Sequence, residues 1–167
     1  MNIPVRVEPP DSSPADVEYR WDSDTDILSA SVRPDRVAER ARVTALELEG
    51  ADGSWLILDV RGGRISGVEV AIWPELRTRA DLAPPAVVEN GTVIIGAVES
   101  GRRLAVEVET MLAAEADRTE RTIHFRLGGL RETRTVRIAR AILVDIDRRD
   151  RIAGLWLLDV PPYPDQS

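Results

Sequence analysis

Ile123-His124-Phe125-Arg126-Leu127, then Gly128-Gly129, then Ile142-Leu143-Val144-Asp145-Ile146 and Ile152-Ala153-Gly154-Leu155-Trp156-Leu157-Leu158 decide the fold. The first run alternates apolar and polar residues, the signature of a half-buried strand. A polar alternating segment crosses to the second run. Between the second and third runs stand Asp147-Arg148-Arg149-Asp150, a charged turn. The stretch from Arg121 to Val160 therefore reads as a strand, a crossing strand and a β-hairpin.

Working outward, the same order occurs earlier. Leu28 to Val32, followed by Pro34, Arg36 and Val43, matches Ile123 to Leu127, followed by Gly129, Arg131 and Ile138. Leu56 to Val60 and Arg64-Ile65-Ser66-Gly67-Val68-Glu69-Val70 match Leu143 to Ile146 and Arg151 to Leu157, with an extra loop expected around Leu46 to Asp52. Two copies of this length are not a solenoid. They predict an all-β protein of two similar antiparallel units sharing a core: an extended Pro-rich arm (1–16), a first unit (17–74), a connection (75–112), a second unit (113–160) and a Pro-rich tail (161–167). Within the arm, Val5 and Val7 fit a short edge strand.

The order of acidic turn, strand, Arg-rich crossing strand, Val144-Asp145-Ile146-Asp147 and Arg151-Ile152-Ala153-Gly154 resembles a small bacterial family, domain of unknown function 2283. The resemblance covers Asp117 to Val160 well and Tyr19 to Ile72 loosely. It implies a compact antiparallel β fold and supplies no established catalytic residues.

Other local signals complete the expectation. Gly62-Gly63 between apolar runs predicts a two-residue hairpin, because both positions tolerate positive φ. Asn90-Gly91 predicts another. Pro74 to Leu82, with Pro at its first position and Pro84-Pro85 beyond it, predicts a short helix in the connection. Leu104 to Ala116 is read mostly as strand, and Arg36 to Val43 as strand. Connections this short leave no room for crossovers, so parallel pairing is not expected.

Composition limits the function classes. The chain of 167 residues carries a net charge of -7, which argues against a nucleic-acid binder and suits a basic protein partner. With no Cys, disulfides and thiolate metal sites are excluded, and a cytoplasmic protein is expected. All 22 basic residues are Arg, which excludes lysine chemistry. No apolar run approaches the length of a membrane helix.

Candidate chemistry is sparse. Asp22, Asp24 and Asp26 open like a calcium loop, but Ile27 stands where Gly is needed and Arg33 where the bidentate Glu is needed, so turn residues are the better reading. His124, the lone histidine, shares a strand face with Thr122 and Arg126, and no nucleophile or orienting partner is apparent for it. Asp59 and Asp145 hold matching hairpin positions and are the pair a hydrolase would use. Gly62-Gly63 and Gly128-Gly129 lie between strands and make no phosphate loop. The Arg-rich segments (Arg36, Arg40, Arg42 and Arg131, Arg134, Arg137) read as solvated or locally paired. No cofactor is expected. Trp21 and Trp156, with Asp22, Asp24 and Asp26, are the expected partner-binding residues. The leading expectation is a non-enzymatic interaction protein such as an antitoxin or immunity protein. The alternatives are a homodimeric β-structured module and a hydrolase using Asp59 and Asp145.

Overall fold

The computed structural model describes residues 3–33, 43–96 and 105–164. Its strands are β1 (Val5–Glu8), β2 (Val17–Asp22), β3 (Ile27–Val32), β4 (Val43–Gly50), β5 (Trp55–Arg61), β6 (Arg64–Ile72), β7 (Leu76–Thr78), β8 (Glu89–Asn90), β9 (Thr92–Ile95), β10 (Ala105–Thr110), β11 (Leu112–Ala116), β12 (Ile123–Leu127), β13 (Thr133–Ala139), β14 (Ile142–Asp147) and β15 (Ile152–Leu157). Among the described residues no helix is long and apolar enough to cross a membrane.

The strands form two sheets. The first runs β1-β9-β6-β5-β4-β10, with β2 and β3 joined to β6; the second runs β7-β11-β12-β15-β14-β13-β8. Alternation supplies the core. Leu28, Leu46, Leu48, Leu56 and Leu58 of the first sheet and Phe125, Val144, Ile146, Leu155 and Leu157 of the second are buried in one apolar cluster. Burying these apolar side chains is the main favourable term, on the order of 1.5–3 kcal/mol each.

Several expectations hold. Gly62 and Gly63 have φ of 55° and 82° and close the β5–β6 hairpin through the Arg61–Arg64 pair. The stretch read as strand around 104–116 contains β10 and β11. Val5 begins a strand at the margin of the first sheet.

Others are corrected. The expected helix at Pro74 to Leu82 is absent: Leu76–Thr78 is β7, paired with β11 at Ala114, Glu115 and Ala116. The open edge of β11 offers Leu76, Arg77 and Thr78 ladder partners, and tertiary pairing overrides the local proline signal. Parallel pairs do occur: β10 with β4, β7 with β11 and β8 with β13. Their partners lie far apart in sequence, so whole units serve as the crossover. Asn90-Gly91 turns no hairpin, because β8 pairs with β13 while β9 pairs with β1 and β6. Gly91 instead permits close approach: a Cβ there would lie 3.1 Å from Val136 Cγ1 and 3.2 Å from the Glu8 carbonyl oxygen. Leu46 to Gly50 form no loop but the end of β4. Arg36, Arg40 and Arg42, with the strand expected there, fall outside the described residues.

The first strand ties the sheets together. β1 pairs with β9 through Val5 and Ile95. It also meets the β14–β15 hairpin: the Val5 N–H donates to the Asp150 carbonyl at 2.8 Å, and the Ile152 N–H to the Ile3 carbonyl at 3.1 Å.

Candidate functional site

Residues of the first sheet that alternate with the core positions point away from it. One row crosses four strands, because Glu109 pairs with Glu49, Glu49 with Trp55, and Trp55 with Ile72. Both glutamates are exposed, Trp55 is 36% exposed and Ile72 51%. The next row adds Glu47, Ile57 and Glu69, and Asp59 lies beyond it. Like charges directly opposite each other are destabilising in a free sheet. An apolar strip beside them is the composition of an anchor bordered by charge.

Asp59 and Glu69 are half-buried on this face. Burial pushes the carboxyl of Asp59 up, with Arg61 opposing. Burial and then the Asp59 charge push Glu69 up. A carboxyl raised in the fold binds its proton more tightly than in the unfolded chain. Its ionisation therefore costs stability above the folded pKa, and that cost is relieved as pH falls through it. Asp59→Asn is expected to raise the unfolding temperature at neutral pH. The gain should shrink on acidification, as wild-type Asp59 becomes protonated; thermal melts across pH check this.

The acidic turn of the sequence sits at one end of β2. Asp22, Asp24 and Asp26 are exposed, and Asp22 Oδ1 accepts the Asp24 N–H at 3.0 Å, ordinary turn chemistry. Among the described residues no group of three or more His, Asp or Glu side chains is placed to hold a metal ion. Trp21 is half-buried and stacks on Trp73 with ring centroids 5.7 Å apart. Trp73 Nε1 donates to the Asp26 carbonyl at 2.8 Å, which fixes the turn against the aromatic pair. Tyr163, from the tail, packs edge-on to Trp21 at 5.1 Å and donates its hydroxyl to the Asp26 carboxylate.

The second sheet treats its outer face differently. His124 Nε2 donates to Asp145 Oδ2 at 2.8 Å, the Thr135 hydroxyl to Asp145 Oδ1 at 2.7 Å, and Trp156 Nε1 to the same carboxylate at 3.2 Å. The Trp156 indole stacks on the His124 ring with centroids 4.1 Å apart. Gly154 lies between these residues, and its missing side chain lets His124 reach Asp145 across β15. An orienting carboxylate for His124 therefore exists, which the sequence reading missed. Both of its oxygens are engaged, and the Thr135 hydroxyl bonds to Asp145.

The expected site residues are thus only partly brought together. Trp21 and the acidic turn share one corner. Trp156 is 6% exposed and committed to Asp145 and His124, so it offers no anchor; this corrects its expected role. Asp59 and Asp145 lie on different sheets, each turned away from the shared core, and do not face one another as a hydrolytic pair must. Trp55 and Ile72 were not among the residues expected to bind a partner, although Trp55 alternates in phase with Ile57 and Asp59. Of the Arg-rich segments, Arg131 pairs with Asp147 at 2.8 Å and Arg134 with Glu89 at 2.6 Å.

Compared with protein families and with curated proteins, the chain matches none.

Proposed function

We propose that the protein is a non-enzymatic interaction protein of the cytoplasm. The outer face of its first sheet would cover a basic partner protein, as an antitoxin or immunity protein does. The observation that carries this reading is the exposed row Glu109–Glu49–Trp55–Ile72: acid beside acid, next to an accessible indole. Cationic side chains docking there would relieve the Glu–Glu repulsion, and the net charge of -7 would steer the encounter.

We extend the proposal to the doubled unit and its resemblance to domain of unknown function 2283. Matched registers support it. Ser29 pairs with Glu69 and His124 with Trp156; Asp59 faces Gly67 and Asp145 faces Gly154; a register shift follows each Asp. On this reading the copies have diverged in role. The second holds His124 and Trp156 where the first holds Ser29 and Glu69, so one outer face is sealed and the other is left open and acidic.

The test is a pull-down from a genome-matched lysate with the wild-type chain and with Glu49→Arg/Glu109→Arg. A single basic protein retained by the wild type is expected, with binding that weakens as salt rises. The double variant should bind it more weakly by about tenfold or more. A partner held equally by both forms, or no specific partner, overturns the reading.

A further inference from the structure

The corner where Trp21 meets Trp73 already holds a proline-rich ligand, the chain's own tail. Val160 is buried, and its N–H donates to the Arg121 carbonyl at 2.9 Å. The Tyr19 hydroxyl donates to the Leu158 carbonyl at 2.6 Å, so the chain is fixed up to this point. Beyond it, Trp21 Nε1 donates to the Pro161 carbonyl at 2.9 Å. Pro162, Tyr163 and Pro164 are exposed, held chiefly through the tyrosine ring and hydroxyl. A cleft of about 510 Å³ remains beside the tail, floored by Leu76 and Ile123 and edged by Asp26 and Glu120.

Each feature has a chemical meaning. Proline segments favour an extended left-handed helix whose carbonyls find no partner within the segment. A fixed indole N–H between aromatic faces meets both needs of such a ligand: an acceptor satisfied and a ring covered. The cleft is of the size that small ligands and peptide segments fill. Its acidic edge favours a ligand with a cation at one end.

We propose that the Trp21–Trp73 corner, together with the cleft beside it, binds an extended proline-rich segment of the partner carrying a flanking arginine or lysine, and that Pro161 to Tyr163 hold the Trp21 side of this site until displaced. This rests on the interaction reading above, but uses a surface separate from the Glu49–Trp55 row.

The test is fluorescence anisotropy of a labelled polyproline peptide with an arginine at one end. It is measured against the full chain, a chain ending at Val160, that shorter chain carrying Trp21→Phe, and the full chain carrying Tyr163→Ala. Saturable binding is expected. The chain ending at Val160 and Tyr163→Ala, which frees the tail without shortening it, should each bind about tenfold tighter, because the site is no longer self-occupied. Trp21→Phe in the chain ending at Val160 keeps an aromatic ring, loses the N–H and has no tail to release, and should bind about tenfold weaker than the chain ending at Val160 alone. Binding by none of the forms, equal affinity with and without a seated tail, or no loss in Trp21→Phe each overturns the proposal. So does a dimer by light scattering that reverts to monomer in Tyr163→Ala, which would make a second copy's tail the occupant. Glu49→Arg/Glu109→Arg should bind the peptide normally, so failure here and failure of the acidic face are told apart.

Discussion

Gly154→Ala is expected to destabilise the fold by about 3 kcal/mol, at the upper end of what one added methyl costs in a packed site. The new Cβ would lie 2.7 Å from the Phe125 carbonyl oxygen, 2.8 Å from Asp145 Oδ2 and 3.1 Å from His124 Nε2. The first contact is with β12 backbone, which cannot move without breaking its pairing to β15. The other two are the partners of a buried hydrogen bond, and pushing them apart leaves Asp145 short of a donor. Gly67→Ala, at the matching place in the first sheet, is the control. Its nearest contacts are Asp59 Oδ2 at 3.1 Å and the Ala30 carbonyl oxygen at 3.2 Å, so a smaller loss is expected. Urea unfolding of both variants measures the difference. Equal losses would show that the His124–Asp145 contact contributes nothing particular to the second sheet.

Asp147→Ala is the second large effect, expected at about 3–5 kcal/mol, the cost of removing one member of a buried charged cluster. Asp147 Oδ2 accepts Arg131 Nε at 2.8 Å and Arg151 Nε at 2.9 Å, while Oδ1 accepts the N–H groups of Arg149 and Arg151. Arg131 also donates to the carbonyls of Leu127, Gly129 and Ile152, so one guanidinium joins the end of β12 to the start of β15. Burial alone would raise the Asp147 carboxyl, but the Arg131 guanidinium, the amides and Arg151 outweigh it and hold the pKa at about 2. A carboxyl lowered in the fold stabilises fully above its unfolded pKa, about 3.9, and loses that contribution as pH falls through the folded value. The stability gap between wild type and Asp147→Asn should therefore stay constant above about pH 4 and narrow toward pH 2. Asp59 and Glu69 titrate with the opposite sign in both proteins and cancel in the difference. A gap that does not change with pH would place the Asp147 contribution in packing instead of charge.

Much of this architecture was legible in the residues. Alternation in Val17 to Trp21, Leu28 to Val32 and Ile123 to Leu127 marks both the strands and the faces they bury. Gly62-Gly63 marks its hairpin because both positions carry the positive φ that a two-residue turn needs. What was not legible depends on pairing between segments remote in sequence. Asn90-Gly91 looks like a turn until β13 and β1 take its neighbours, and Pro74 looks like a helix start until β11 offers an edge. The site shows the same limit. Trp55 and Trp156 both lie on outward phases of their strands. Trp156 is covered because His124 and Leu143 flank it across β12 and β14, whereas Trp55 has Glu49 and Ile72 beside it. No local pattern separates the two; only the register of the assembled sheets does.

Strand β1 sets the order of events during synthesis. It is made well before the hairpin at Asp150 to Ile152 that receives it. The seam between the sheets therefore closes only after that hairpin has been made. Until then β1 has β9 as its ladder partner on one side, and its other edge stays open to chaperones and to other nascent chains. Closure of this seam should be paced by β1 finding the β14–β15 hairpin, a long-range search that makes for slow folding.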